Sequence, residues 1–117
     1  MLGPEKEILK IWAIDQGEDV EREGHLVLTD QRIAFYPTRW SGLARDQVLW
    51  WAHHDAVAHL EQWGTGILSR GNMLTISVRY NNYETTVYPR TVRVVQPFAG
   101  AAIRRFMKAC YVAVGYE

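Results

Sequence analysis

Residues 24–35 read Gly24-His-Leu-Val-Leu-Thr-Asp-Gln-Arg-Ile-Ala-Phe35, two short apolar runs on either side of a tight connection that opens with the turn-forming Asp30. That is a β-hairpin. Leu26 and Leu28 share one face of the first strand by the period-two rule, and Ile33 and Phe35 meet them from the second, the cross-strand pairing that stabilises a sheet. Pro37 has no N–H to give to a ladder and ends the second strand.

Working outward, residues 5–14 mix apolar and charged positions and are read as a first strand, with a short helix as the competing reading. Residues 15–24, rich in Gly and acids, read as an exposed loop. On the other side, 38–47 read as a loop, and 48–52 and 56–60 as short strands, with a helix over 54–63 as the alternative. Leu74, Ile76, Val78 and Tyr80 alternate with polar residues and predict a strand with one wet face. Asn81-Asn82 suits a two-residue turn, 83–88 return, Pro89 breaks the strand and 91–95 add a last extended piece. From Pro97 the pattern changes to three- and four-residue steps (Ala99, Ala102, Ile103, Phe106, Ala109, Cys110, Ala113), one apolar stripe of a helix over about 97–113 that Gly115 stops. Strands over about 5–95 followed by one helix, with no βαβ alternation, imply an α+β, mainly-β single domain over 1–117: about seven antiparallel strands in two sheets, capped by the helix.

The order of elements resembles the pleckstrin-homology-like superfold. Within it, Gly24, Leu26, Leu28, Thr29, Asp30, Arg32, Ile33 and Phe35 occupy the places of a Gly-x-Leu-x-Leu-Thr-[Asn/Asp]-x-Arg-[Leu/Ile]-x-Phe hairpin common in the GRAM and bacterial PH-like branch. Phe98, Ala102 and Phe106 match the terminal helix in style, whereas Ala56 separates Asp55 from Val57 where the branch often has an adjacent pair. The resemblance implies a binding module, with phosphoinositide binding by clustered Lys and Arg on the first hairpin as the family's best-known use. Here that region departs from the pattern, since 15–24 hold five acids and one base.

Composition narrows function further. Thirteen basic and thirteen acidic residues balance, so no global field recruits nucleic acid. Residues 1–24 carry seven acids and three bases, leaving the excess positive charge to the remainder. Cys110 is the only cysteine, which excludes an intrachain disulfide and multi-thiolate zinc, and the acidic N-terminus does not read as a secretory signal. A cytoplasmic protein, possible at the membrane periphery, is expected.

No nucleophile elbow or phosphate loop is present, and Cys110 lies on the apolar stripe of the helix. His53, His54, His59 and Asp55 lack ligand spacing, so no metal, cofactor or enzymatic activity is expected. The candidate ligand-binding residues are Trp40 and Trp50, with Arg39, Arg79 and Arg93. Trp40 lies in a polar stretch, and of the neighbours Trp50 and Trp51 only one can face the core. Arg79 and Arg93 occupy outward positions of their strands. The leading expectation is a protein partner or self-association at an aromatic edge, with anionic lipid second and a small-molecule cavity lined by His25, His59, Tyr36 and Tyr88 third.

Overall fold

A computed structural model describes residues 6–17, 21–37, 48–64, 71–79 and 87–115. The strands are β1 (Glu7–Gln16), β2 (Glu21–Thr29), β3 (Arg32–Pro37), β4 (Trp50–His53), β5 (Val57–Trp63), β6 (Met73–Arg79) and β7 (Val87–Val94), followed by helix α1 (Ala99–Val114). Every pairing is antiparallel, in the order β4-β3-β2-β1-β7-β6-β5. The mainly-β body closed by one C-terminal helix is thus as expected. The two expected sheets are joined into one continuous ladder through β1–β7, which is limited to Ala13–Asp15 against Val92–Val94.

The hairpin sits where the sequence puts it. Leu26 pairs with Phe35 and Leu28 with Ile33, all four fully buried. Thr29 shapes the turn: its Oγ1 accepts the amides of Gln31 and Arg32 at 3.1 and 3.0 Å and donates to the Arg32 carbonyl at 3.2 Å. Asp30 ties the turn to the start of β1, its carboxylate accepting the Lys6 amide at 3.1 Å while its own amide donates to the Lys6 carbonyl.

Three expectations are corrected, and one alternative gives way to the strand reading of 48–52 and 56–60. Residues 15–24 are not one loop, because β1 runs to Gln16 and β2 starts at Glu21, the two residues being paired. The chain can stay extended there since Asp15 and Gly24 take inner-face positions while Glu21, Arg22 and Glu23 remain in water. The alternative helix over 54–63 shrinks to one 3-10 turn, His54–Ala56, after which β5 begins. Pro89 does not break its strand. Within β7 it pairs with Ser77 of β6, and because β1 reaches only Val92, β7 is, among the described residues, locally an edge at Pro89, where proline is tolerated. Pro97 precedes the helix rather than opening its first turn; Phe98, in a left-handed conformation (φ 59°), is the N-cap and stands 86% exposed instead of joining the stripe. The Asn81-Asn82 turn lies outside the described residues.

The helix buries Ala102, Ile103, Phe106 and Cys110 against the inner faces of the strands, and ends where Gly115, at φ 91°, donates to the carbonyls of Tyr111 and Val112. At the far side of the core, Trp50 lies parallel to Phe35 (6.1 Å between ring centres), and its indole Nε1–H donates to the Asp15 carboxylate at 2.8 Å. Asp15 is 4% exposed. Burial raises its pKa above the ordinary 3.8, while the Trp50 hydrogen bond, Arg90 and Arg22 pull the other way.

Two outcomes follow. A Cβ on Gly24 would stand 2.2 Å from the Tyr36 carbonyl oxygen, so Gly24→Ala is expected to lower the urea midpoint by the equivalent of about 3 kcal/mol, the upper range for overpacking; an unchanged midpoint contradicts the β2–β3 register. A carboxyl with a raised folded pKa contributes stability below its unfolded pKa and loses it as pH rises through the folded value. Asp15→Asn, which keeps an acceptor for Trp50, is therefore expected to match or exceed the parent melting temperature at pH 7, with the advantage shrinking toward pH 3.8. Asp15→Ala, which strands the indole N–H, is expected to cost about 1–3 kcal/mol. An Asn variant less stable than the parent at neutral pH would show that attraction to the arginines outweighs burial.

Candidate functional site

Two surfaces gather residues with binding chemistry. The first is one end of the barrel. The pairs Gln16–Glu21, Gly24–Pro37 and Arg79–Val87 place the ends of β1, β3 and β6 on the same side, so the connections 17–20, 38–49 and 80–86 all start from it. Arg39 and Trp40 lie outside the described residues. The described surface here is mixed: Glu21, Arg22 and Glu23 are exposed, and Glu21 accepts from Gln16 at 2.8 Å and Arg93 at 3.4 Å. Arg93 is thereby engaged with a carboxylate rather than open to an anion, although an exposed pair of this kind adds little to stability. Beneath this end, Arg90 has a buried Nε without a hydrogen-bond partner.

Arg79 and Arg93 are not brought together. Arg79 pairs with Val87 and Arg93 with Met73, six residues apart along β7, or about 20 Å at strand spacing. The cavity reading fares similarly: His25 and Tyr36 are paired neighbours on β2 and β3, but the exposed His59 belongs to β5, four strands away in sheet order.

The second surface is the outer face of β1–β4. Counting by two from the buried Ile33 and Phe35 through the register Phe35–Trp50, Trp50 turns inward at 6% exposure and Trp51 outward at 44%. The expected surface site at Trp50 is therefore corrected, because its ring is a core element fixed between Phe35 and Asp15. Trp51 takes its place. Likewise Trp12, between the buried Ile11 and Ala13 of β1, stands outward at 41%.

Across this face run two rows of paired residues, Trp12–His25–Tyr36 and Lys10–Val27–Ala34–Trp51. Both tryptophans are oriented. The Trp12 Nε1–H donates to Glu23 at 2.9 Å. The Trp51 ring has the Arg32 guanidinium 5.4 Å from its centre and His53 edge-on at 4.9 Å, while Arg32 donates to the Tyr36 hydroxyl at 3.2 Å. His25 is held below its ordinary pKa, first by burial and then by Lys10, with Glu23 and Glu7 opposing.

Two further groups, His54 and Cys110, are tied into the fold. His54 donates its Nε2–H to the Thr29 carbonyl at 2.9 Å. Cys110 is fully buried, and burial pushes its thiol up to about 11, far from a reactive thiolate. Among the described residues no group of three or more His, Cys, Asp or Glu is placed to hold a metal ion, and no helix is long and apolar enough to cross a membrane.

No protein-family model matches the chain, and no curated protein matches it in sequence. Solved structures do match in shape. The Slm1-PH domain in complex with inositol-4-phosphate superimposes with a TM-score of 0.65 at 8% identity, covering 92% of this chain and 97% of that one. The DH/PH domains of PDZ-RhoGEF, solved with GTP-γ-S activated RhoA, give 0.66 at 12% identity over 94% of this chain and 29% of theirs. The hSac2 domain of the human phosphoinositide phosphatase Sac2 gives 0.61 at 14% over 97% and 72%. At such identities the likeness speaks for architecture, and the architecture of this chain is pleckstrin-homology-like.

Proposed function

We propose that this chain is a non-enzymatic binding module of the cytoplasm that docks a protein partner on the outer face of β1–β4. The observation that carries the reading is the pair Trp12 and Trp51, 41% and 44% exposed on one face and already oriented by Glu23, Arg32 and His53. Interface energy concentrates in Trp, Tyr and Arg, and a ring held in place before binding loses less freedom on association. Trp40 belongs to the same reading as a further aromatic anchor. The Gly24–Phe35 hairpin supports a place in the GRAM and bacterial PH-like branch.

Anionic lipid at the loop end of the barrel is the second reading. It is favoured by the unpartnered Arg90 Nε, with Arg39 and Arg79 as its further candidate donors, and by the inositol-4-phosphate complex of Slm1-PH. Against it stand the exposed Glu21 and Glu23 at that end and the engagement of Arg93 by Glu21. The DH/PH domains of PDZ-RhoGEF, 29% of whose chain is matched, stand in complex with a protein, RhoA.

A paired measurement separates the two. The immobilised chain is expected to retain proteins from a lysate of its source cells, and Trp12→Ala/Trp51→Ala is expected to weaken retention by about 30-fold, the equivalent of about 2 kcal/mol at an interface anchor, with the melting temperature unchanged. Arg79→Glu should leave retention intact. Sedimentation with phosphoinositide vesicles that is abolished by Arg79→Glu and indifferent to the tryptophans would overturn the reading in favour of lipid.

A further inference from the structure

The solvent side of α1 carries charge that the fold does not use. Arg104, Arg105 and Lys108 are exposed, and the helix has no Asp or Glu between Ala99 and Val114. At 3.6 residues per turn the three bases fall within one arc of about 100°, with Ala101 and the exposed Val112 between them. Ala102, Ile103, Phe106 and Cys110, on the other side, are buried.

Neither of the usual structural roles of such bases is filled. None of the three has a hydrogen-bond or ion-pair partner among the described residues. The last turn of the helix holds no base, so the helix dipole gains nothing from them. Their spacings of three and four residues set like charges side by side, which destabilises a helix unless something of opposite sign lies over it.

Charge and shape select what lies over it. The exposed carboxylates of a second copy are engaged or scattered: Glu21 and Glu23 hold Arg93 and Trp12, while Glu7, Asp55 and Glu61 belong to β1, the 3-10 turn and β5. A protein interface ordinarily has its apolar anchors at the centre and its charges at the rim. Here the order is reversed. Phe98, 86% exposed at the N-cap, precedes Arg104 by about a turn and a half, and Val112, 59% exposed, follows Lys108 by about one turn. An anionic bilayer is broad enough to meet the whole length, offers negative charge throughout, and takes up apolar side chains between its headgroups.

We propose that the chain rests on an anionic bilayer through the solvent side of α1, with Arg104, Arg105 and Lys108 against the headgroups and Phe98 and Val112 set among them. The helix packs on the inner side of β1, whose outer side carries Trp12, so this contact leaves Trp12 open to a partner. It is independent of the protein-docking reading and uses none of the arginines at the loop end of the barrel.

The test is sedimentation of the intact chain with phosphatidylcholine vesicles prepared with and without phosphatidylserine. A base near an anionic surface contributes about fivefold in affinity, so Arg104→Gln/Arg105→Gln/Lys108→Gln is expected to weaken binding about 100-fold. Phe98→Ala is expected to weaken it severalfold. All four side chains are exposed, so the variants should melt with the parent. Neutral vesicles should not be bound, and about 1 M salt, which cuts the reach of surface charge to ~3 Å, should release the chain. Arg79→Glu should change nothing. No binding to phosphatidylserine vesicles, or binding that ignores both salt and the triple substitution, would overturn the proposal. Loss on Arg79→Glu with the triple variant still bound would overturn it in favour of the loop end, and indifference to Phe98→Ala would overturn insertion at that end of the helix. Retention on immobilised polyglutamate that the triple variant loses, with vesicles ignored, would overturn it in favour of an acidic protein.

Discussion

The placement of Trp50 inside the barrel governs everything that follows on the surface. A strand presents successive side chains to opposite faces, so once the register Phe35–Trp50 is set by the buried hairpin, no freedom remains for the next residue. The stacked ring and the bond from its indole N–H to Asp15 hold Trp50 across the core, and Trp51 must then stand outward. A one-residue slip would bury Trp51 and expose Trp50, and would leave a buried carboxylate without its donor.

Much of this architecture was legible in the sequence, for identifiable reasons. The hairpin was readable because Leu26, Leu28, Ile33 and Phe35 obey strict alternation around a Thr-Asp turn, and the helix because its small residues recur at helical steps. Pro89 misled because a proline is judged by which side of its strand needs hydrogen bonds, a property of the neighbouring strand's length. The acidic stretch misled for a related reason: exposed acids accompany the far end of a hairpin as readily as a loop, and only pairing distinguishes the two.

The candidate site was legible by residue type and not by side. The tryptophan pair drew notice, but its sequence, Val-Leu-Trp-Trp-Ala, is apolar on both faces and carries no alternation. The phase that decides between the two comes from β3, through the partner strand. Trp12 was hidden likewise, its outward position following from the burial of Ile11 and Ala13. The arginine pair failed because outward parity says nothing about distance along a ladder. What results is a barrel with its hydrophobic and buried polar contacts turned inward, an end of mixed charge among the described residues, and one aromatic outer face.

The account stands or falls on the opposite fates of two adjacent indoles, and exchange of their Nε1 hydrogens measures these directly. With each resonance assigned by single substitution, the Trp50 indole N–H is predicted to exchange only at the rate of global unfolding, as befits a buried donor bound to Asp15, and the Trp51 indole N–H to exchange as an exposed group does. Slow exchange at Trp51 together with fast exchange at Trp50 would contradict the register of β4 and every surface assignment built on it.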